Sequence, residues 1–217
     1  MKKMFFDRKD AGEQLAVALQ KYKSEDAIIL AIPRGGLPIG AVISEKLNKP
    51  LDVVLTKKIG HPHNKEYAIG AVSMHHKTIS DTIDVSERYL KEETLRIRES
   101  LGRRYDQYYK NCDPLELENK TAIIVDDGIA TGNTLVITIE LVANKKPAKI
   151  VVAIPVAPAS VLKKINDIDN VTEVVCLYAP SQFRAVGAFY QDFTAVSDKE
   201  AVSLLTRIRG RKLDSIS

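Results

Sequence analysis

The sequence contains no tryptophan and only two cysteines, Cys112 and Cys176, among its 217 residues. Two cysteines in unrelated contexts exclude a disulfide framework and a cysteine-based zinc site, and they favour a reducing compartment. No apolar run is long enough to span a bilayer, and no apolar segment of the kind found in secretory signals follows the first lysines. We therefore expect a cytoplasmic protein that has no membrane partner.

A large excess of charge of one sign is also missing, because 32 basic and 28 acidic residues leave a net charge of only +4. This balance permits anionic ligands but does not indicate a nucleic-acid partner. The basic segment 207–213 is interpreted as a solvated helix end rather than as a DNA contact. The sequence shows no repeat and no linker, so we expect a single domain over residues 1–217 with a core from about residue 6 to residue 208.

What the sequence does contain is an alternation of short apolar runs with helical patterns. The predicted strands comprise residues 26–32, 51–56, 121–127, 149–157 and 173–179. Uninterrupted apolar strands separated by helices are typical of a parallel sheet that is covered on both faces. We therefore predict the α/β class, with a single doubly wound, mainly parallel sheet and helices on both of its faces. Predicted helices include residues 10–23, with Asp10 and Glu13 at capping-box spacing, and the long amphipathic segment 86–110.

Three polar segments directly follow predicted strands: residues 33–36 (Pro-Arg-Gly-Gly), residues 57–65 and residues 126–134. In sheets of this kind, ligands bind beyond the carboxyl ends of the strands. The three segments should therefore lie at the same end of the sheet.

Residues 126–134, called the acidic loop below, combine two carboxylates with glycines and hydroxyls. Gly128 and Gly132 allow the backbone to approach a ligand closely, and Thr131 and Thr134 add hydroxyl donors. The helix that begins near Gly132 directs its free amides and the positive end of its dipole at the loop, which suits a phosphate monoester. The alternative is a plain turn with a fortuitous helix cap.

The two carboxylates have a different task, because Asp126 and Asp127 would repel a phosphate. Their natural partners are sugar hydroxyls or a hydrated hard cation such as Mg²⁺. A ligand that carries a phosphate next to a vicinal diol satisfies both halves of the loop, and ribose 5-phosphate is such a ligand.

The stretch IIVDDGIATGNT, residues 123–134, resembles the phosphoribosyl pyrophosphate (PRPP) binding motif of type I phosphoribosyltransferases. The resemblance extends from about residue 6 to residue 208. It implies that Asp126 and Asp127 hold the ribose 2- and 3-hydroxyls. It also implies a site for the 5-phosphate that is made of Gly128, Ile129, Ala130, Thr131, Gly132 and Thr134.

Cationic side chains follow the other two strands. Arg34 offers a planar fork for phosphate oxygens, and Gly35 and Gly36 offer backbone amides, although a simple strand–helix turn would use the same residues. This segment resembles the pyrophosphate loop of the family. Lys57 and Lys58 are either a solvated strand end or further pyrophosphate ligands, and we favour the second interpretation.

Residues 57–80 form a long polar segment that holds all four histidines and a candidate hairpin around residues 67–73. Long irregular segments in compact domains are usually functional loops. This one resembles the flexible loop that closes over the active site of the family and excludes water. His61 and His63 have the spacing of a metal-binding pair but no evident third ligand, so phosphate contacts or no role are the better interpretations.

The segment after the last predicted strand, about residues 179–196, resembles the hood that covers the acceptor base in purine-type members of the family. The resemblance implies that Phe183 stacks on a planar acceptor and that Asp192 approaches its edge. Tyr190 and Phe193 are interpreted as ordinary packing under the C-terminal helix.

The function implied by the resemblance is transfer of the 5-phosphoribosyl group from PRPP to a nitrogen acceptor such as a nucleobase, with release of pyrophosphate. Asp126, Asp127, Lys57 and Lys58 would be the catalytic residues, with Mg²⁺ near the two aspartates and bound mainly through PRPP and water. The alternatives are a regulator that senses PRPP or a nucleotide with little or no catalysis, and an enzyme that hydrolyses PRPP. The resemblance also implies a homodimer, for which the helix predicted at residues 86–110 offers an interface.

Overall fold

The computed structural model describes residues 4–74, 77–79, 85–110 and 113–213. Its strands are β1 (Ala27–Ala31), β2 (Leu51–Val53), β3 (Lys57–His61), β4 (Asn64–Val72), β5 (Lys77–Ile79), β6 (Thr121–Val125), β7 (Lys149–Val156) and β8 (Glu173–Tyr178). Its helices are α1 (Arg8–Ala18), α2 (Gly36–Leu47), α3 (Glu87–Tyr108), α4 (Asn133–Ala143), α5 (Ala159–Asn166) and α6 (Asp198–Leu213). Short 3₁₀ helices lie at Gln20–Tyr22 and Val186–Phe189.

Among the described residues, five strands form a central sheet in the order β2-β1-β6-β7-β8, and all neighbours in it run parallel. This arrangement confirms the predicted α/β class. Side chains of β1 alternate between the faces: Ile29 joins the apolar cluster on one face, whereas Ile28 and Leu30 join the cluster on the other. Because both faces are covered, these strands have uninterrupted apolar sequences.

Each face of the sheet is covered by its own helices. Leu15, Leu37 and Leu205 bring α1, α2 and α6 into the first cluster. Leu135 and Ile165 bring α4 and α5 into the second cluster. Complete burial of a side chain of this size contributes about 1.5–3 kcal/mol, so the two clusters hold the sheet firmly beneath its loops.

The strands that carry two of the predicted site segments are neighbours. β1 pairs with β6 so that Ala31 lies opposite Val125 at the carboxyl ends of both strands. The next amide along the chain, that of Ile32, donates a hydrogen bond of 2.8 Å to the carbonyl of Val125. Segments 33–36 and 126–134 therefore leave the sheet side by side, as the sequence predicted.

Residues 57–80 are more regular than predicted. Strands β3, β4 and β5 form a separate antiparallel sheet. Ile59, Ile69 and Ala71 have no exposed surface, and the sheet packs against α3 and α4. Apolar side chains that pack in the clusters of α3 and α4 therefore explain its order, and the expectation of a long irregular loop is not met. Residues 75–76 and 80 of this segment, which include His75 and His76, lie outside the described residues.

The first helix begins earlier than predicted. Its N-cap is Asp7, whose Oδ1 accepts a hydrogen bond of 2.8 Å from the amide of Asp10. In return, Oδ2 of Asp10 accepts a hydrogen bond of 2.8 Å from the amide of Phe6. The capping pair is therefore Asp7 with Asp10 instead of Asp10 with Glu13. As a consequence, Arg8 occupies the first helical position.

The other predicted boundaries differ less. α3 confirms the predicted long helix, and the hydroxyl of its N-cap Ser86 accepts a hydrogen bond from the amide of Tyr89. The strand predicted over residues 51–56 ends earlier, at Val53. Of the helices in the described ranges, none combines the length and the apolar character that crossing a membrane requires.

Candidate active site

The two loops that follow β1 and β6 are in contact. A Cβ atom placed on Gly35 would lie 2.0 Å from Oδ2 of Asp127, and one placed on Gly36 would lie 2.5 Å from the carbonyl oxygen of Val125. Neither distance is compatible with a side chain, so only glycine lets the two loops approach this closely. The Pro-Arg-Gly-Gly segment therefore lies directly against the acidic loop.

Asp127 is held by Arg8 and Tyr190. Nε and Nη2 of Arg8 each lie 2.8 Å from Oδ2 of Asp127, and the two side chains are only 12% and 15% exposed. The hydroxyl of Tyr190 donates a hydrogen bond of 2.7 Å to the backbone carbonyl of Asp127. The amide of Asp127 in turn donates a hydrogen bond of 2.8 Å to Oδ1 of Asp126. Both the side chain and the backbone of Asp127 are therefore fixed in position.

The two carboxylates are adjacent and removed from water, and both effects change their pKa values. Burial raises the pKa of Asp126 well above its ordinary value, and the charge of Asp127 raises it further. Burial also raises the pKa of Asp127, while the guanidinium of Arg8 opposes this change. Hydroxyl donors or a cation would relieve the repulsion between the carboxylates, so the pair is suited to bind a diol or a metal ion.

The acidic loop ends at the amino end of α4. Gly128 and Gly132 have φ values of +149° and +76°, which side chains disfavour, and a Cβ atom on Gly128 would lie 2.5 Å from Cγ1 of Val186. No side chain caps the first turn of α4, which begins at Asn133. Within the described part of the chain, the amides of residues 130–132 have no hydrogen-bond acceptor. Free amides at the amino end of a helix are suited to bind a phosphate.

Ile129 has an anchoring position in the acidic loop. Its side chain is buried in the second apolar cluster, and its amide donates a hydrogen bond of 3.0 Å to the carbonyl of Val156. Thr131 and Thr134 are exposed, so their hydroxyls are accessible to a ligand. Among the predicted phosphate residues, Ile129 therefore fastens the loop to β7, while the two threonines lie at its accessible surface.

Arg34 lies beside the first turn of α6. Its Nη1 lies 3.8 Å from Oδ2 of Asp198, and Nη2 of Arg104 lies 3.4 Å from Oδ1 of the same carboxylate. All three side chains are at least a third exposed, so these ion pairs are weak. Two guanidinium groups therefore converge at the edge of the Pro-Arg-Gly-Gly segment, where they are suited to bind an anion.

Lys57 and Lys58 lie in the second sheet, whereas the acidic loop follows the central sheet. They begin β3, where Lys57 is exposed and Lys58 is half-buried. Residues 54–56 connect β2 of the central sheet to β3 and pass α4, where Oγ1 of Thr56 lies 3.2 Å from Oγ1 of Thr138. The contact of both lysines with a bound pyrophosphate stays a prediction.

The described residues contain no group of three or more His, Cys, Asp or Glu side chains that is arranged to hold a metal ion. The rings of His61 and His63 lie 5.6 Å apart, centroid to centroid. Asp126 and Asp127 offer two carboxylates, a number that suits Mg²⁺ when substrate phosphates and water provide the other ligands. The acidic pair therefore fits a metal ion that is bound together with a phosphorylated ligand.

The hood predicted at residues 179–196 is assembled from both ends of the chain. Phe5 forms a parallel bridge with Tyr190, and the amide of Gln191 donates a hydrogen bond of 2.9 Å to the carbonyl of Phe5. The amino-terminal segment therefore belongs to the same layer as the hood. The sequence did not predict this pairing.

The two predicted acceptor residues have different surroundings. Phe183 is half-buried, and its ring centroid lies 5.4 Å from that of Phe189. The carboxylate of Asp192 accepts hydrogen bonds of 2.6 and 2.9 Å from the hydroxyl and the amide of Thr194. These bonds lower the pKa of Asp192. They also hold the exposed carboxylate of Asp192 in its own turn, and its contact with an acceptor stays a prediction.

Sequence reasoning missed Arg8 and underestimated Tyr190. Arg8 is 119 positions away from Asp127, and no local pattern connects the two residues. Tyr190 is buried, with its ring centroid 5.2 Å from that of Phe5, and its hydroxyl also fixes the acidic loop. Its packing under the C-terminal helix stays a prediction. A buried tyrosine usually needs a hydrogen-bond partner for its hydroxyl, and this requirement could have indicated that Tyr190 contacts a polar loop.

Comparison with known proteins gives results that agree with this geometry. A family model described as the phosphoribosyl transferase domain matches residues 7–188. Proteins from two strains of Mycobacterium tuberculosis, each provisionally named a phosphoribosyl transferase, are 34% identical over 210 residues, which is 94% of this chain and 47% of the relative. The chain therefore spans about half the length of the curated relatives that it matches.

A solved structure covers nearly the whole chain. The crystal structure of TT1426 from Thermus thermophilus is 33% identical, superimposes with a TM-score of 0.87, and covers 95% of this chain and 99% of that chain. This chain and TT1426 therefore share the same overall fold.

Proposed function

The chain belongs to the phosphoribosyl transferase family, and from this premise we propose that it transfers the 5-phosphoribosyl group of PRPP to a nitrogen acceptor, a nucleobase, with release of pyrophosphate. PRPP carries a 5-phosphate, a vicinal diol and a pyrophosphate on one ribose. The loops around the carboxyl ends of β1 and β6 offer a suitable group for each of these parts.

The contact between Gly35 and Asp127 is the observation that supports this proposal most strongly. It brings a carboxylate suited to a diol against a loop whose arginine is suited to a pyrophosphate. In PRPP the diol and the pyrophosphate are attached to adjoining carbons of the same ring. A ligand that spans both loops therefore needs this short separation between its two binding groups.

In the proposed complex, each loop holds one part of the donor. Asp126 and Asp127 accept hydrogen bonds from the ribose hydroxyls. The 5-phosphate lies at the amino end of α4, where it is bound by the amides of residues 130–132 and by the hydroxyls of Thr131 and Thr134. Gly128 allows the ligand to approach the backbone, and Ile129 keeps the loop attached to β7.

The leaving group is held by cations and amides. Arg34 and the amide of Gly35 bind the pyrophosphate, and Lys57 and Lys58 approach it from β3. The amide of Gly36 donates a hydrogen bond of 3.0 Å to the carbonyl of Ile32, so we assign Gly36 to the close approach of the two loops. Mg²⁺ bound with PRPP near the two aspartates would neutralise further charge on the pyrophosphate.

The chemistry requires orientation more than covalent participation of the protein. As the bond from C1 to the pyrophosphate lengthens, positive charge develops on the ribose, and a nitrogen lone pair of the acceptor forms the new bond to C1. The pyrophosphate leaves with the electron pair of the broken bond. Fixing the ribose through Asp126 and Asp127 aims C1 at the acceptor, and covering the site excludes the water that would hydrolyse PRPP.

We assign the acceptor to the hood side of the acidic loop. Phe183 is the candidate for stacking on a planar base. Asp192 is already bonded to Thr194, so we assign it to the shape of the hood and not to direct contact with the base.

Release of pyrophosphate from PRPP, measured with a panel of purine and pyrimidine bases, tests this function. We expect release that requires both Mg²⁺ and one class of base, together with formation of the corresponding nucleoside monophosphate. Binding of PRPP without any turnover would identify a sensor instead. Formation of ribose 5-phosphate and pyrophosphate without a base would identify a hydrolase.

A further inference from the structure

We propose that Arg8 is a positioning residue of the PRPP site. It holds the carboxylate of Asp127 in place for the ribose, and it connects the hood to the acidic loop. Because this role presupposes a bound ribose, it rests on the proposed function. Arg8 lies outside the loops that follow β1 and β6, at the start of the amino-terminal helix.

The contact between Arg8 and Asp127 is short and shielded from water. Nε and Nη2 of Arg8 both lie 2.8 Å from the same carboxylate oxygen, Oδ2. Charge-assisted bonds of this kind are the strongest hydrogen bonds in proteins, and screening by solvent is small where the side chains are only 12% and 15% exposed. Both contacts of Arg8 with this carboxylate are to Oδ2, so in the proposed complex the other oxygen, Oδ1, receives a ribose hydroxyl.

The guanidinium of Arg8 is itself fixed from the side of the hood. Its central carbon lies 3.9 Å from the centroid of the Phe193 ring, within the range of a cation–π interaction. Its Nη1 donates a hydrogen bond of 2.8 Å to the backbone carbonyl of Thr194. Arg8 therefore connects three distant parts of the chain: α1, the acidic loop and the hood.

The backbone of Arg8 is also held. Asp7 caps α1 by accepting a hydrogen bond from the amide of Asp10, and Asp10 accepts one from the amide of Phe6. With its main chain and its guanidinium both constrained, Arg8 has little freedom to swing away from Asp127. It therefore acts as a fixed support for the carboxylate of Asp127.

The contact of Arg8 with Asp127 counteracts the repulsion between the two adjacent carboxylates of the site. Asp126 and Asp127 repel each other, so an unsupported Asp127 would rotate away from its neighbour and from Gly35. The fixed positive charge of Arg8 opposes that rotation. The ribose then meets a carboxylate that is already in place, which reduces the entropy lost on binding.

Calorimetric binding of PRPP in the presence of Mg²⁺ to wild type, Arg8→Gln, Arg8→Lys and the control Lys9→Gln tests this role. Lys9 is the exposed neighbour of Arg8 on α1, so the control removes the same charge without touching Asp127. We expect wild-type affinity for Lys9→Gln, at least about tenfold weaker binding for Arg8→Gln, and an intermediate value for Arg8→Lys. Circular dichroism and thermal melting establish that each variant is folded.

A second readout separates positioning from general stability. Ribose 5-phosphate and 2-deoxyribose 5-phosphate differ by one hydroxyl, and wild type should prefer the ribose compound. We assign the 2-hydroxyl to Asp127, so Arg8→Gln should lose most of this preference, because Asp127 no longer meets that hydroxyl. In the Asp127→Asn background, Arg8→Gln should change the affinity for PRPP by less than about twofold, since the two residues act as a unit.

Several results would overturn the proposal. Wild-type affinity, wild-type preference for ribose, or tighter binding in Arg8→Gln would show that Arg8 does not support the carboxylate. Equal effects of Arg8→Gln in the wild-type and Asp127→Asn backgrounds would show that it acts independently of Asp127. If Arg8→Gln does not fold, a wild-type preference for ribose in Arg8→Lys would show that Arg8 does not support the carboxylate. A wild type that does not bind PRPP would overturn the proposed function, and this inference with it.

Discussion

The hydroxyl of Tyr190 donates a hydrogen bond of 2.7 Å to the backbone carbonyl of Asp127, and Tyr190 has no exposed surface. This bond joins the hood to the acidic loop at Asp127, the second of its two aspartates. A buried residue that packs against Phe5 therefore also determines where a predicted ligand-binding loop lies.

Replacement of Tyr190 by Phe should weaken both the fold and the site. The substitution leaves a carbonyl without its partner in a mostly buried position, which costs about 1–3 kcal/mol of unfolding free energy. We expect a lower midpoint in urea and severalfold weaker binding of PRPP. For the midpoint in urea, Tyr67→Phe is the matched control, because Tyr67 is 58% exposed. Equal midpoints for Tyr190→Phe and wild type would contradict this role.

Replacement of Gly35 by Ala should separate the two loops. The added Cβ atom would lie 2.0 Å from Oδ2 of Asp127, so either the carboxylate or the loop must move. We expect loss of detectable PRPP binding in a protein that still melts cooperatively. Gly210→Ala is the control: a Cβ atom there meets no atom within 4 Å, and Ala in a helix should raise stability by up to about 1 kcal/mol. Normal PRPP binding by Gly35→Ala would show that the contact has no importance for the ligand.

Replacement of Asp198 by Asn should strengthen the binding of pyrophosphate. The carboxylate of Asp198 lies 3.8 Å from Arg34 and 3.4 Å from Arg104, so it competes with an anionic ligand for both guanidinium groups. Calorimetry with pyrophosphate and Mg²⁺ should show severalfold tighter binding at low salt, and the gain should shrink at high ionic strength. Asp169→Asn, a change at an exposed position, is the control. Weaker binding in Asp198→Asn would mean that the carboxylate orients Arg34 for its ligand.

Replacement of Glu25 by Gln should make the melting temperature of the protein depend less on pH in acid. Hydrogen bonds from Lys149 and from the hydroxyl of Thr121 lower the pKa of Glu25 below its ordinary value of 4.5. Because the folded-state pKa is lowered, this stabilisation is present above pH 4.5 and is lost as the pH falls through the folded-state pKa. Melting temperatures measured from pH 6 downward should therefore fall less steeply below about pH 4.5 in Glu25→Gln than in wild type. Glu13→Gln, at an exposed position of α1, should retain the wild-type slope.

The central sheet and the position of the acidic loop could be predicted because their causes are local. A short uninterrupted apolar run such as residues 122–125, bounded by polar residues, is typical of a strand covered on both faces. Once β1 and β6 are parallel neighbours, Arg34 and Asp126 must leave the same edge of the sheet. The long helix from Glu87 to Tyr108 was predictable from its amphipathic period alone.

The parts that could not be predicted depend on contacts between distant residues. The partner of Arg8 is 119 positions away, and its position follows from the packing of α1 against the sheet. The extent of the second sheet was underestimated because its sequence is mostly polar and has few apolar side chains, such as Ile59, which clusters with residues of α3, and Ala71, which clusters with residues of α4. The start of α1 was misplaced because Asp10 and Glu13 also have capping-box spacing, whereas the N-cap is Asp7, which accepts a hydrogen bond from the amide of Asp10.

The most direct test of the central claim is the thermal stability of wild type and of the Asp126→Asn/Asp127→Asn double variant with PRPP, with and without Mg²⁺. At about a hundred times its dissociation constant, a ligand stabilises the folded state by about 2.7 kcal/mol, which shifts the midpoint by several degrees in a domain of this size. We expect a shift in wild type that requires Mg²⁺ and that the double variant loses. No shift in wild type, or an equal shift in the double variant, would contradict the assignment of the acidic loop as the PRPP site.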